Sequence, residues 1–165
     1  MIRPATPDDA EGIVRIYNHY IRDTVITFEE EAITAGTMAK RIESGVNAGF
    51  PWLVAEEDGA VLGYAYAGPW HPRYAYRFSV EVTVYLDPDA GGRGLGSQLY
   101  ESLFEALMGL GVHAVIGLIA LPNPASVALH EKFGMTPAGK LHEVGYKFDR
   151  WVDVGLWQRT LTADR

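Results

Sequence analysis

The chain contains no cysteine. A disulfide framework, a thiolate nucleophile and a cysteine-ligated metal are therefore excluded. Positive charge is also short, with 14 Lys and Arg against 21 Asp and Glu and a formal net charge of −7. Such a chain lacks the electrostatic footprint for nucleic acid or an anionic membrane surface, so neither is expected as a partner. No long apolar run opens it: Met1-Ile2-Arg3-Pro4 leads into acidic residues, which reads as neither a secretion signal nor a membrane span and suggests a cytoplasmic protein. His19, His71, His113, His130 and His142 show no ligand spacing, so no metal is expected.

The 165 residues, 48% apolar and 21% charged, fit one soluble globular domain without repeats, low-complexity tracts or linkers. Residues 2–5 read as a short strand. Thr6 then caps a helix to about residue 22, with Pro7 first, Asp8 and Asp9 in the first turn, and an apolar stripe of Ala10, Ile13, Val14, Tyr17 and Ile21. Residues 24–32 have no clear period and serve either as a cover over a pocket or as a connector. A weaker helix over 34–48 carries Met38, Ile42 and Val46. Residues 52–55 and 61–67 form a hairpin turning at Asp58-Gly59, and a loop rich in rings and prolines, residues 68–74, follows.

Around this the chain centres on residues 80–97, VEVTVYLDPDAGGRGLGS. Val80, Val82, Val84 and Leu86 share one strand face, and Glu81, Thr83 and Tyr85 share the other. One face is apolar and one is equipped. Asp87-Pro88-Asp89 marks a turn, Gly91-Gly92-Arg93-Gly94-Leu95-Gly96 follows, and a helix carries Leu95, Leu99, Leu103, Ala106, Leu107 and Leu110 on one stripe. Glycines that let several backbone N–H groups converge at a helix N-terminus suit a phosphate or pyrophosphate; the same loop is also compatible with a plain tight turn.

Residues 113–121 are continuously apolar, as in a strand buried on both faces beside a parallel neighbour, which completes a right-handed β-α-β crossover. Asn123 caps a helix with Pro124 first, running to Phe133 and stopped by Gly134. Two last strands are expected over 135–144 and 146–160.

These pieces resemble the GNAT-type N-acetyltransferases, and among them the branch that acetylates phosphinothricin and methionine sulfoximine. The resemblance rests on Tyr17-Asn18 with Thr27-Phe28-Glu29, on residues 73–77 leading into Val80-Glu81, and on Thr83-Val84-Tyr85. It continues through residues 92–97, Asn123-Pro124-Ala125-Ser126, Leu129-His130-Glu131-Lys132, Gly145-Tyr146-Lys147 and residues 151–154, nearly the whole chain in order. It implies an α/β fold, a mixed but mostly antiparallel sheet of about seven strands splayed between strands 4 and 5, and about four flanking helices. It implies acetyl-CoA as donor, a small-molecule amine as acceptor, and a homodimer. One departure stands out: Gly91 occupies the place where the family loop begins with Gln or Arg, which removes one side-chain contact while leaving the backbone amides.

The resemblance also implies roles. Glu81 is the expected general base, acting on the ammonium through an ordered water, since a partly buried carboxylate titrates upward. A backbone N–H of Val84, Tyr85 or Leu86 is the expected partner of the oxyanion and of pantetheine. Gly92, Arg93, Gly94, Leu95, Gly96 and Ser97, with Asn123 and Lys132, would hold the rest of the cofactor; otherwise Asn123 is a helix cap and Lys132 a solvated charge. His130 would protonate the departing thiolate, or else is a helix histidine bonded to a neighbouring loop. Arg73 and Arg77 would pair with an acceptor carboxylate, and Phe28, Glu29, Trp70, Tyr74 and Tyr85 would complete the acceptor pocket. The competing readings are a polyamine or protein N-terminus as acceptor, and a non-catalytic acyl-CoA-binding protein.

Overall fold

The computed structural model describes residues 1–162. Its strands are β1 (Ile2–Pro4), β2 (Trp52–Glu57), β3 (Ala60–Pro69), β4 (Ser79–Leu86), β5 (Ala114–Ala120), β6 (Thr136–Lys147) and β7 (Arg150–Thr160). Its helices are α1 (Ala10–Asp23), α2 (Ala35–Asn47), α3 (Leu95–Gly109) and α4 (Pro124–Lys132). One seven-stranded sheet runs β1-β2-β3-β4-β5-β7-β6, and only the β4–β5 pair is parallel. This is the expected mixed architecture. Among the described residues no helix is long and apolar enough to cross a membrane.

Two cores cover the two sheet faces. Leu99, Tyr100, Leu103, Phe104 and Leu107 of α3 pack on Val80, Val82 and Val115, whereas Ile13, Ile16, Met38 and Ile42 of α1 and α2 pack on Trp52, Val54 and Tyr64. Strand alternation assigns the partners: Val80 and Val82 face α3, so Glu81, Thr83 and Tyr85 face the α1 side. Asp58 and Gly59 turn the β2–β3 hairpin with φ of +51° and +80°, as their residue types anticipate.

Four details depart from the sequence reading. A single turn over Pro7–Asp9 precedes α1, and it is the Asp9 carboxylate that accepts from the Thr6 N–H at 2.8 Å. Leu110 is exposed at the end of α3, where Tyr100 and Phe104 take the buried stripe. The last hairpin turns at Phe148-Asp149 (φ +53° and +56°) rather than at Gly145. Gly145 lies inside β6, and a glycine stands there because a Cβ would meet Cζ of Phe28 at 2.3 Å. Finally, β5 is not buried on both faces, since Leu118 is exposed. The reason is the sheet itself: β4 and β5 are paired only from Ser79 to Glu81, and beyond that point β5 loses its neighbour.

Candidate active site

The splay is the site's foundation. Asp87 N–H bonds to Leu62 O and Trp70 N–H to Ser79 O, so the odd-numbered residues of β4 spend their backbone groups on β3. In an antiparallel ladder the even-numbered residues then face the opposite neighbour. Beyond Glu81 that neighbour has diverged, leaving Val84 and Leu86 with amides aimed into the gap. Tyr85 contributes its ring to the gap while its amide faces β3. The Leu86 carbonyl accepts the Tyr20 hydroxyl at 2.6 Å, which anchors α1 to the end of β4.

A cavity of about 320 Å³ fills the gap, and Phe28, Glu81, Val84, Tyr85, Asn123 and His130 all line it. Sequence reasoning anticipated these six. It missed Tyr17, Tyr66, Thr83, Tyr100 and Ser126, which supply most of the remaining polar lining. Signals existed: Thr83 shares the face of Glu81, Tyr66 lies across from it on β3, and Tyr100 follows Gly96 by one helical turn.

Burial pushes the Glu81 carboxyl up, and only the nearby His71 opposes it. Burial likewise raises the Tyr66, Tyr85 and Tyr100 hydroxyls, so they remain protonated donors. His130 is buried and its basicity falls, chiefly by desolvation, with the Ser126 carbonyl opposing. Its Nδ1 lies 2.7 Å from Ser126 O and its Nε2 3.0 Å from the Tyr100 hydroxyl. A carbonyl can only accept, so Nδ1 carries the proton in the neutral ring and Nε2 accepts from Tyr100.

The connector over residues 24–32 covers the mouth. Ile26, Thr27 and Phe28 line the cavity; Phe28 lies on Gly145, and the buried Lys147 donates to Thr27 O at 2.8 Å. Glu29 is placed otherwise than expected. It stands outside the cavity lining, held by both guanidinium nitrogens of Arg41 (2.6 and 3.0 Å) and by the Tyr17 hydroxyl. Arg41 keeps its carboxyl below the usual range.

Gly92, Arg93, Gly94, Leu95, Gly96 and Ser97 enter α3 beside the gap, with Gly92 and Gly94 at φ of +75° and +74°. A Cβ built at either would meet nothing within 4 Å, so the loop presents open space to a ligand. The first amides of α3 have no intrahelical acceptor and face that space with the positive helix end. Lys132 joins them by donating to Ser97 Oγ at 2.9 Å. Arg93 is drawn instead to Glu57 of the β2–β3 hairpin, and Asn123 Oδ1 caps α4 by accepting from Ser126 N–H at 3.2 Å. An anionic, phosphate-bearing cofactor fits this loop, and its thioester end fits the gap.

Trp70, Arg73, Tyr74 and Arg77 do not line the cavity. Arg73, Tyr74 and Arg77 are exposed, and the Arg77 guanidinium lies 4.2 Å from the Tyr74 ring centre and 4.4 Å from that of Phe78. Trp70 sits edge-on to His71 with ring centres 4.8 Å apart.

The family model for the acetyltransferase (GNAT) domain matches residues 2–156. The chain is 44% identical over 158 residues to a phosphinothricin N-acetyltransferase of Streptomyces viridochromogenes, covering 96% of this chain and 86% of that one. It is 36% identical over 165 residues to an L-methionine sulfoximine/L-methionine sulfone acetyltransferase of Pseudomonas aeruginosa, covering 99% and 96%. Among solved structures, a GNAT superfamily phosphinothricin acetyltransferase of Sinorhizobium meliloti in complex with AcCoA superposes with a TM-score of 0.94. It is 37% identical, with 98% of this chain and 88% of that one covered.

Proposed function

Because the chain belongs to the GNAT acetyltransferase family, we propose that it moves acetyl from acetyl-CoA to the α-amine of a small amino acid analogue, such as phosphinothricin, methionine sulfoximine or methionine sulfone. The observation that carries this reading is the splay. It opens one cavity onto the burial-raised Glu81 carboxyl, Val84 of the unpaired strand end and the hydrogen-bonded Tyr100 and His130, with the glycine-rich entrance to α3 following the end of β4.

The chemistry follows from those groups. Acetyl transfer needs a neutral amine, a polarised carbonyl and a protonated thiolate leaving group. Glu81 draws the proton from the ammonium through a water; its raised pKa matches that task near neutral pH. The Val84 or Leu86 amide meets the charge that develops on the carbonyl oxygen. At the sulfur, Tyr100 presents the hydroxyl that turns from His130 Nε2 and gives its proton to the thiolate, the tyrosine regaining a proton from solvent, while His130 Nε2 accepts from that hydroxyl at rest and positions it. The loop from Gly92 to Ser97, with Lys132, holds the phosphates, and Asn123, which lines the cavity, meets the cofactor there. Arg73, exposed outside the cavity, makes no side-chain hydrogen bond among the described residues and is free to meet an acceptor carboxylate, with Arg77 close by in sequence.

A homodimer belongs to the same reading. β6 is an outer strand, and Leu141, Val144, Tyr146, Phe148 and Trp151 leave an exposed apolar surface around the β6–β7 hairpin. Sedimentation equilibrium tests this; a monomer at micromolar concentration would contradict it.

The activity is tested by following free thiol released from acetyl-CoA with methionine sulfoximine, methionine sulfone, phosphinothricin, spermidine and a short peptide. Turnover confined to the first three is the expected result. Turnover with spermidine or peptide alone would move the acceptor to another class while leaving the donor site intact.

A further inference from the structure

A second cavity, about 580 Å³, lies between α2 and the β2–β3 strands, walled by Met38, Phe50, Trp52, Tyr64 and Tyr66. It is not an isolated void. Tyr17 and Tyr66 line both cavities. Register shows where the two meet: Tyr66 pairs with Thr83, and Gly68, which lines the second cavity, pairs directly with Glu81. Directly paired residues share a sheet face, so the neighbour of Glu81 on the side of the second cavity has no side chain. A Cβ at Gly68 would meet nothing within 4 Å. The base thus looks across an open doorway.

The far wall is shaped for hydrocarbon. Trp52 and Tyr66 stack with ring centres 4.0 Å apart and planes 8° from parallel, and Tyr64 lies within 4° of Tyr66. Gly45 of α2 makes room for this stack, since a Cβ there would stand 2.4 Å from Trp52 Nε1. Arg41 at the rim is already neutralised by Glu29. Thr37, Lys40 and Ser44 line the cavity from exposed positions on α2; against the stacked rings a phosphinate or sulfoximine head would lose its water without a charged partner, whereas an aromatic ring would lose nothing.

We propose that this cavity, entered over Gly68, holds the side chain of the acceptor, and that the chain acetylates α-amino acids with large apolar aromatic side chains, such as phenylalanine and tryptophan. This rests on the acetyl-transfer reading above and extends its acceptors beyond compact polar analogues.

The test compares kcat/KM for alanine, phenylalanine, tryptophan and methionine sulfone in wild type, Gly68→Leu and Ser44→Phe. Gly68→Leu fills the doorway in extended backbone. Ser44→Phe fills the cavity from an exposed position on α2, where folding is not at stake. Wild type should prefer phenylalanine over alanine at least tenfold, and both variants should lower that ratio at least tenfold, with thermal midpoints confirming that they fold. Turnover of methionine sulfone without preference for phenylalanine over alanine would overturn the aromatic pocket and leave the acetyl-transfer reading standing. An unchanged ratio in both folded variants would do the same. Phenylalanine turnover without any sulfone, sulfoximine or phosphinothricin turnover would support the pocket and replace the smaller acceptors. No turnover with any amino acid would overturn both.

Discussion

Tyr100 donates its hydroxyl proton to His130 Nε2 across 3.0 Å, and the direction of that bond is set on the other side of the ring, where Nδ1 donates to Ser126 O at 2.7 Å. In this tautomer the imidazole has no proton to offer the cavity through Nε2. On the acetyl-transfer reading, it is therefore the tyrosine hydroxyl and not the histidine that would give a proton to a departing thiolate. Tyr100→Phe should leave a buried acceptor unpaired, at about 1–3 kcal/mol of stability, and should lower kcat more than it changes either KM. Urea unfolding and steady-state kinetics check this, and a variant with wild-type kcat would remove the pair from the proton path.

Gly117 of β5 has a related consequence. A Cβ there would lie 2.6 Å from His130 Cδ2 and 2.8 Å from Nε2. Gly117→Ala should push the ring off Tyr100, costing about 1–3 kcal/mol as an overpacked core does, with a fall in kcat like that of Tyr100→Phe. If its crystal structure showed the 3.0 Å bond intact, the close contact would have been relieved some other way.

Six residues of the cavity lining, Glu81 and His130 among them, are legible in the sequence alone. The alternation of Val80 to Leu86 assigned Glu81 to a functional face, and the glycines after Asp87 located the helix entrance. What stayed hidden depended on contacts between distant segments. The Phe148-Asp149 turn contains no glycine, and Gly145, which resembled a turn, is small because Phe28 lies on it. Tyr100 falls outside the leucine stripe read for α3, and its role depends on His130 being placed against it. Glu29 looked like a pocket carboxylate, but Arg41, twelve residues on, claims it. The arginines at 73 and 77 occupy an exposed segment whose relation to the cavity no local pattern could state.

Lys147 Nζ reaches Thr27 O at 2.8 Å and secures the connector whose Phe28 closes the cavity. Lys147→Met keeps the stem and removes the donor. Loss of one such bond, about 1 kcal/mol, should raise the acceptor KM roughly fivefold while the acetyl-CoA KM holds. Gly145→Val, which evicts Phe28, should act in the same direction and more strongly. Equal effects on both substrates would instead indicate general loosening.

Arg3 binds Asp9 through two nitrogens at 2.7 and 3.0 Å, and this holds the Asp9 carboxyl below its usual range. A depressed folded pKa contributes stability that is complete above the unfolded value, about 3.9, and is lost as pH falls through the folded one. Asp9→Asn should therefore destabilise at neutral pH and flatten the decline of stability with acid below about pH 4. Thermal midpoints across that range decide it; a variant with wild-type acid dependence would relieve Asp9 of this role.

The pH dependence of catalysis tests Glu81 most directly. Burial raises its carboxyl pKa and the nearby His71 opposes the shift, so the ionised form is lost at a higher pH than for an ordinary glutamate near 4.3. A base works only when ionised, so kcat/KM should fall on the acid side with an apparent pKa above that ordinary value. Glu81→Gln should lower kcat by about 10²- to 10⁴-fold and abolish this limb, leaving only the rise that follows the amine's own deprotonation. His71→Ala removes the opposing charge and should move the wild-type limb to still higher pH. An acid limb that survives unchanged in Glu81→Gln would assign the titration, and the base, to another group.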